Sequence, residues 1–201
     1  MDEYDRIAEW YAHARSPAIG LGDLAAFLRP LAPEPGAAPE ARVLDLGCGT
    51  GVPLAQELAR RGYRVTGLDS SAEMIRRFRR NVPEARALHA RAQEVDFAPG
   101  MFEAVVAWGV VFHLSETEQR AVFARVGRWL VPGGRFLFTS SGARGAREGT
   151  MDGVTFHYVS LGPEGYRTAL AEAGLRLARH YTGEGENTVY VAAKAASGAG
   201  G

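Results

Sequence analysis

The chain has 201 residues, 46% hydrophobic and 23% charged, an ordinary globular composition with enough length to bury a sizeable core as one domain. Lys plus Arg equals Asp plus Glu at 23 each, so no global field draws polyanions, and neither nucleic acid nor a membrane surface is expected as a partner. Cys48, the only cysteine, excludes an internal disulfide and a multi-cysteine metal site; no metal is expected, and the lack of a leader-like start or a bilayer-length apolar run makes a cytoplasmic location the expectation.

Asp2 to Ala14 places Tyr4, Ile7, Ala8 and Tyr11 at helical spacing, which predicts an amphipathic helix whose aromatic face needs cover. A second helix is expected from Pro17 to Leu28, and together these make a helical lid over residues 1–30. Pro30 to Pro39 suits neither a helix nor a central strand and reads as a connector, over 31–40, to a body spanning 41–194. That body opens with Val43, Leu44 and Leu46, a strand apolar on both faces, with Asp45 at its end. Gly47, Gly49 and Gly51 follow, a loop that can turn sharply and admit a ligand to bare backbone. In open α/β sheets such a loop after a first strand marks the ligand crevice beyond the strands' carboxyl ends.

Val52 to Arg61 reads as a helix with Pro53 in its first turn, and Arg64 to Asp69 as a second buried strand ending in an acid. Ser70 with Glu73 reads as a capping box opening a helix that buries Met74, Ile75 and Phe78. Ala85 to His89 is a weaker third strand, followed by a turn from Arg91 to Glu94, and Phe102 to Trp108 is a fourth. Ser115 and Glu118 form a second capping box, opening a helix that buries Val122, Phe123, Val126, Trp129 and Leu130 and stops at Pro132-Gly133-Gly134. Arg135 to Thr139 is the fifth strand. Ser141 to Gly149 reads as a loop carrying Arg144 and Arg147, and Val154 to Val159 as a short extra strand, the two forming an insertion over 141–160. A helix from Pro163 to Ala173 precedes strands at Leu175 to Tyr181 and Thr188 to Ala193, which should pair as an antiparallel hairpin at the sheet edge, before a frayed tail from Ala195 to Gly201. The alternation argues for an α/β fold with a doubly wound, mostly parallel sheet.

These residues resemble the class I S-adenosylmethionine-dependent methyltransferases, most specifically at Val43 to Gly51, Asp69, Phe102 to Leu114 and Leu130-Val131-Pro132-Gly133-Gly134. The G-x-G-x-G spacing differs from the G-x-G-x-x-G of nicotinamide dinucleotide loops. The resemblance implies a Rossmann-like seven-stranded sheet with an antiparallel last strand and S-adenosylmethionine as cofactor. Tyr4 to Tyr11 further resembles the lid helix of small-molecule members. Carried onto this chain, Asp69 would hold both ribose hydroxyls, since a carboxylate accepts several bonds at once. Gly47, Cys48 and Gly49 would line the methionine part, with Asp45 orienting that loop or the ammonium group. Arg91, Ala92 and Gln93 would flank the adenine, Arg91 standing where the family more often has an acid. Ser70 and Met74 would flank the ribose and adenine, Met74 being equally readable as core. Trp108 and Gly109 would sit beside the sulfonium, and Tyr11 or Arg15 would hold the methionine carboxylate.

Methyl transfer is an in-line displacement, so such a site must hold a nucleophile about 3 Å from the transferred carbon, and a base is needed only when the acceptor arrives protonated. His113, on the loop after the fourth strand, is the base candidate; its bland alternative is a helix-entry histidine bonded to backbone. Tyr4, Trp10, Phe112, Arg147, His157 and Tyr158 are the substrate-binding candidates, with Trp108 and Phe156 as further pocket walls. The expected function is methyl transfer to a small, partly apolar metabolite. The alternatives are a non-methylating reaction such as cyclisation on the same cofactor site, and cofactor binding without catalysis.

Overall fold

The structure, a computed structural model, describes residues 3–14, 18–31 and 41–196. Its centre is β1 (Arg42–Leu46), which pairs in parallel with β2 (Arg64–Asp69) on one side and β4 (Phe102–Ala107) on the other. β3 (Arg86–His89) extends the β2 side, and β5 (Leu130–Ser140) extends the β4 side, both in parallel. The hairpin of β8 (Leu175–Thr182) and β9 (Thr188–Lys194) completes seven strands in the order β3-β2-β1-β4-β5-β9-β8, with β9 antiparallel to both neighbours.

Successive strand residues point to opposite faces, and both faces are covered, which is why these strands are apolar throughout. Leu44, Leu46, Val105, Phe136 and Phe138 face α5 (Glu116–Trp129) and α6 (Gly162–Glu172), packing with Phe123, Val126, Trp129 and Tyr166. Val43, Ala104, Val106 and Leu137 face α2 (Leu21–Leu28), α3 (Leu54–Arg60) and α4 (Ala72–Asn81), packing with Phe27, Leu58, Ile75 and Phe78. Each such large side chain, fully buried, contributes about 1.5–3 kcal/mol, so the two layers hold the sheet rigidly beneath its loops. β1 and β4 lie side by side at the centre, and the crevice of the site opens above their carboxyl ends.

A third, small cluster lies above that crevice. Ile7 of α1 (Glu3–Ala14) is buried with Val154 and Phe156 of β7 (Val154–Leu161), and Tyr4, Tyr11, Met151 and Tyr158 close round them. β7 pairs antiparallel along its length with β6 (Arg144–Met151).

Several expectations change. Ser141 to Gly149 is not a loop: β6 begins at Arg144, and its residues are nearly all exposed, so no buried face imposes the apolar alternation that marks other strands. The cap of α4 is Ser71 rather than Ser70; its hydroxyl accepts from Met74 N, while Glu73 turns away to Arg76 and Arg77. α2 begins at Leu21, because Gly20 before it is left-handed at φ +81°, and α3 begins at Leu54. Of the two helices expected as a lid, α1 covers the crevice, whereas Leu24, Phe27 and Leu28 of α2 join the sheet-face core. β5 starts at Leu130, directly after α5. Arg15, almost all of the proline-rich connector and most of the expected tail lie outside the described residues.

Candidate active site

The loop after β1 is tied to β2 by its backbone: the Gly47 and Cys48 N–H groups both donate to the Leu68 carbonyl, at 2.7 and 3.1 Å. Gly47 and Gly49 both have positive φ, +70° and +54°, a conformation L side chains rarely adopt. The two glycines serve different ends. A Cβ on Gly47 would strike Val110 at 2.6 Å, so its bareness lets the loop after β4 approach. A Cβ on Gly49 would project into the crevice, with only the Tyr11 ring nearby at 3.9 Å.

Asp69 ends β2 beside this loop, and its two carboxylate oxygens accept the Gly49 N–H at 2.8 Å and the Ser71 N–H at 2.9 Å. The acid and the glycine loop therefore hold each other in place. Across the crevice, the Gly109 N–H donates to the buried Thr139 hydroxyl at 2.8 Å, which fixes the turn after β4. The Gln93 side-chain amide donates to Glu118 at 3.0 Å, so the second capping box also anchors the turn after β3. The Ser115 hydroxyl, then the Ser115 backbone, hold the Glu118 carboxyl below the usual carboxylate range. Burial pushes the Cys48 thiol well up, with the Asp45 and Asp69 carboxylates adding to it.

The crevice is a cavity of about 260 Å³. The fold brings to it Gly47, Gly49, Asp69, Ser70, Met74, Arg91, Ala92, Gln93, Trp108 and Gly109 from the expected cofactor set, with Tyr4, Tyr11, His113 and His157 from the lid, the β4 loop and β7. Asp45 and Cys48 line a small adjoining hollow, shared with Tyr11, Gly47, Gly49 and Trp108. The Trp108 indole N–H is buried at this junction without a protein partner.

Four expected substrate contacts do not line the cavity. Trp10, 40% exposed, is one residue off the Tyr4, Ile7, Tyr11 stripe, and the helix turns about 100° per residue. Phe112 and Tyr158 stand behind His113, with ring centroids 4.8 and 5.1 Å from it, and Arg147 lies over the Tyr158 ring at 5.3 Å. His157 reaches the cavity but also pairs with Glu148 at 3.1 Å across the hairpin. Conversely, Glu3, Val110, Leu114, Glu118 and Thr155 line the cavity without having been singled out. The capping box gave a signal for Glu118, though not for this second use. Nothing local marks Glu3 or Thr155, whose positions depend on how the lid and hairpin dock.

His113 ends a short 3-10 turn, Val111–His113, and its Nε2 lies 2.8 Å from the Tyr4 hydroxyl. Around that pair the rings of Tyr4, Tyr11, His113 and Phe156 meet edge-on or tilted, at centroid distances of 5.1 to 5.5 Å. Among the described residues, no group of three or more His, Cys, Asp or Glu could hold a metal ion, and no helix is long and apolar enough to cross a membrane.

A doubly wound sheet with one antiparallel strand carries a bare-backbone loop that faces an acid at the end of the neighbouring strand, and solved S-adenosylmethionine-dependent methyltransferases share this fold. Comparison with known proteins points the same way: residues 43–134 match the family model of a methyltransferase domain. An uncharacterised methyltransferase of Synechocystis is 34% identical over 98 residues, 49% of this chain and 46% of that protein. A ubiquinone biosynthesis O-methyltransferase of Methylobacterium is 46% identical over 85 residues, 42% of this chain and 30% of the relative. The matched stretch thus spans about half or less of these curated relatives. Among solved structures, the CcbJ methyltransferase from Streptomyces caelestis superposes with a TM-score of 0.77 at 21% identity, covering 98% of this chain and all of that one, a likeness of fold. The residues present fit S-adenosylmethionine: Gly49 offers bare backbone to the cavity and Asp69 a carboxylate.

Proposed function

We propose that this chain transfers the methyl group of S-adenosylmethionine to a small, partly apolar metabolite. One observation supports the reading above others: a single cavity has Gly49, Asp69 and Ala92 on one side and Tyr4, His113 and Phe156 on the other. A polar cofactor wall and an aromatic wall therefore face the same crevice. Asp69 receives the ribose hydroxyls, Ala92 and Gln93 flank the adenine, and the loop from Gly47 to Gly49 lines the methionine part. When bound, the cofactor supplies an electrophilic methyl group on a sulfonium. The chain's own task is then to align the acceptor, exclude water with α1 and β7, and take a proton at His113 where the acceptor carries one.

The aromatic rings of the roof suit an acceptor with a flat or apolar body. The relatives named for ubiquinone biosynthesis are O-methyltransferases, which favours a hydroxyl as the acceptor group. Calorimetry with S-adenosylmethionine, followed by a metabolite-library screen for S-adenosylhomocysteine release with mass spectrometry of the product, tests the reading. Binding with a product heavier by one methylene supports it; no binding to the purified chain refutes it.

A further inference from the structure

The lid helix is fastened to the body by an acidic side chain that the reading above leaves unused. Asp5 follows Tyr4 on α1, and its Oδ1 accepts the Ser71 hydroxyl at 2.5 Å and the Glu73 backbone N–H at 3.2 Å. Ser71 is the N-cap of α4 and is fully buried, and its hydroxyl oxygen in turn accepts the Met74 N–H at 3.1 Å. Its own backbone N–H donates to Asp69 Oδ1 at 2.9 Å, and Asp69 Oδ2 accepts the Gly49 N–H at 2.8 Å. An unbroken run of hydrogen bonds thus leads from the lid, through the start of α4, to the acid at the end of β2 and on to the glycine loop.

The first turn of a helix leaves N–H groups without intrahelical acceptors and carries partial positive charge, so it attracts carboxylates. Here two carboxylates meet the same turn at Ser71, Asp69 of the sheet through its backbone N–H and Asp5 of the lid through its hydroxyl. Bonds to ionised acceptors are short and strong, and burial of Ser71 shields them from competing water. The orientation of Ser71 is therefore set jointly by the two acids. When α1 lifts, the Ser71 hydroxyl and Glu73 N–H lose their acceptor, and the amide that steers Asp69 loses its support.

We infer that Asp5 is a positioning residue that couples closure of α1 to the orientation of Asp69, completing the ribose site only when the lid is down; this rests on the reading of Asp69 as the ribose-binding acid. The lid then responds to the cofactor as well as to the acceptor, because any group that draws Asp69 into place also favours the Ser71 geometry that Asp5 grips.

The test is calorimetry on the full chain with S-adenosylhomocysteine and its 2′-deoxyribose analogue. A hydrogen bond to a charged group corresponds to roughly tenfold in affinity or more, so wild type should bind the deoxy analogue at least ~10-fold more weakly. Asp5→Ala should weaken S-adenosylhomocysteine and narrow that ratio to about threefold, since a misaimed Asp69 gains less from the hydroxyl. Ser71→Ala, which cuts the same link from the α4 side, should narrow it likewise. Asp5→Asn, whose amide oxygen can accept both bonds, should restore the wild-type ratio. Ile7→Ala, which loosens α1 from Val154 and Phe156, should narrow it too, because a lid that lifts more often takes Asp5 away from Ser71. If Asp5→Ala and Ser71→Ala weaken both ligands alike and keep the wild-type ratio, the coupling is overturned while the cofactor reading stands. If wild type binds neither ligand, both fall; if it binds the two equally, the ribose role of Asp69 falls and takes the coupling with it.

Discussion

The Tyr4 hydroxyl, near the start of α1, lies 2.8 Å from Nε2 of His113, on the loop after β4. A residue of the lid thereby meets the base candidate, and the two rings also pack edge-on, with centroids 5.4 Å apart. Tyr4→Phe removes the bond and keeps the packing. On the acceptor identified by the metabolite screen, His113→Ala should lower turnover by about 10²–10⁴-fold if the histidine takes a proton, and Tyr4→Phe by a smaller factor. S-adenosylhomocysteine affinity should stay within about twofold in Tyr4→Phe, because a lost acceptor-side contact leaves the cofactor groups in place. Normal turnover in His113→Ala would return that residue to a packing role.

Asp69→Ala removes the acceptor of both the Gly49 and Ser71 N–H groups. The loss of bonds to a charged group, each worth about 1.5–3 kcal/mol, should weaken S-adenosylhomocysteine by at least ~10-fold. Asp69→Asn should fall between the variant and wild type, because its amide has one acceptor oxygen for two donors. Unchanged affinity in Asp69→Ala by calorimetry would contradict the ribose assignment.

The parts of the site legible in the sequence were those written locally. Strand–loop–acid units at Val43 to Gly51 and Arg64 to Asp69 declare themselves, because burial on both faces forces continuous apolar runs and the bare loop demands glycine. The roof was not legible in the same way. β6 is exposed on both faces, so its register with β7 leaves no trace in its polarity pattern, and the local sequence does not show that Phe112, Arg147 and Trp10 stand outside the cavity lining. Ser71 rather than Ser70 caps α4 because Asp69 already turns the chain through the Ser71 amide, a contact set by tertiary geometry that the spacing of Ser and Glu does not encode.

Glu118 offers a pH test. Its carboxyl is held low in the fold, first by the Ser115 hydroxyl and next by the Ser115 backbone, with Gln93 adding a third bond. A depressed folded value means the stabilisation is fully present above the unfolded glutamate value of about 4.3 and is lost as pH falls through the lower folded value. Glu118→Gln, which keeps an acceptor oxygen for Ser115 and loses only the charge, should therefore melt slightly below wild type at pH 7. The gap should close as melts are repeated down toward pH 3. A gap constant across that range would mean the ionised carboxylate is not what holds the capping box.

Cys48 sits in the glycine loop, beside the place where a sulfonium electrophile would bind, and a thiolate there would be a competing nucleophile. The fold acts against that. Burial raises the thiol's value well above the ordinary range, and the carboxylates of Asp45 and Asp69 push it further in the same direction. The thiol is accordingly protonated at neutral pH, and with 8% of its surface exposed it is also poorly reachable. Labelling by iodoacetamide, followed by mass spectrometry, should run at least ~10-fold slower in the folded chain than for free cysteine at pH 8, and should stay slow up to pH 9, beyond the usual thiol value of about 8.5. Denaturant should restore ordinary reactivity. Fast labelling of a chain that still binds S-adenosylhomocysteine would show that neither burial nor the two acids protects this thiol.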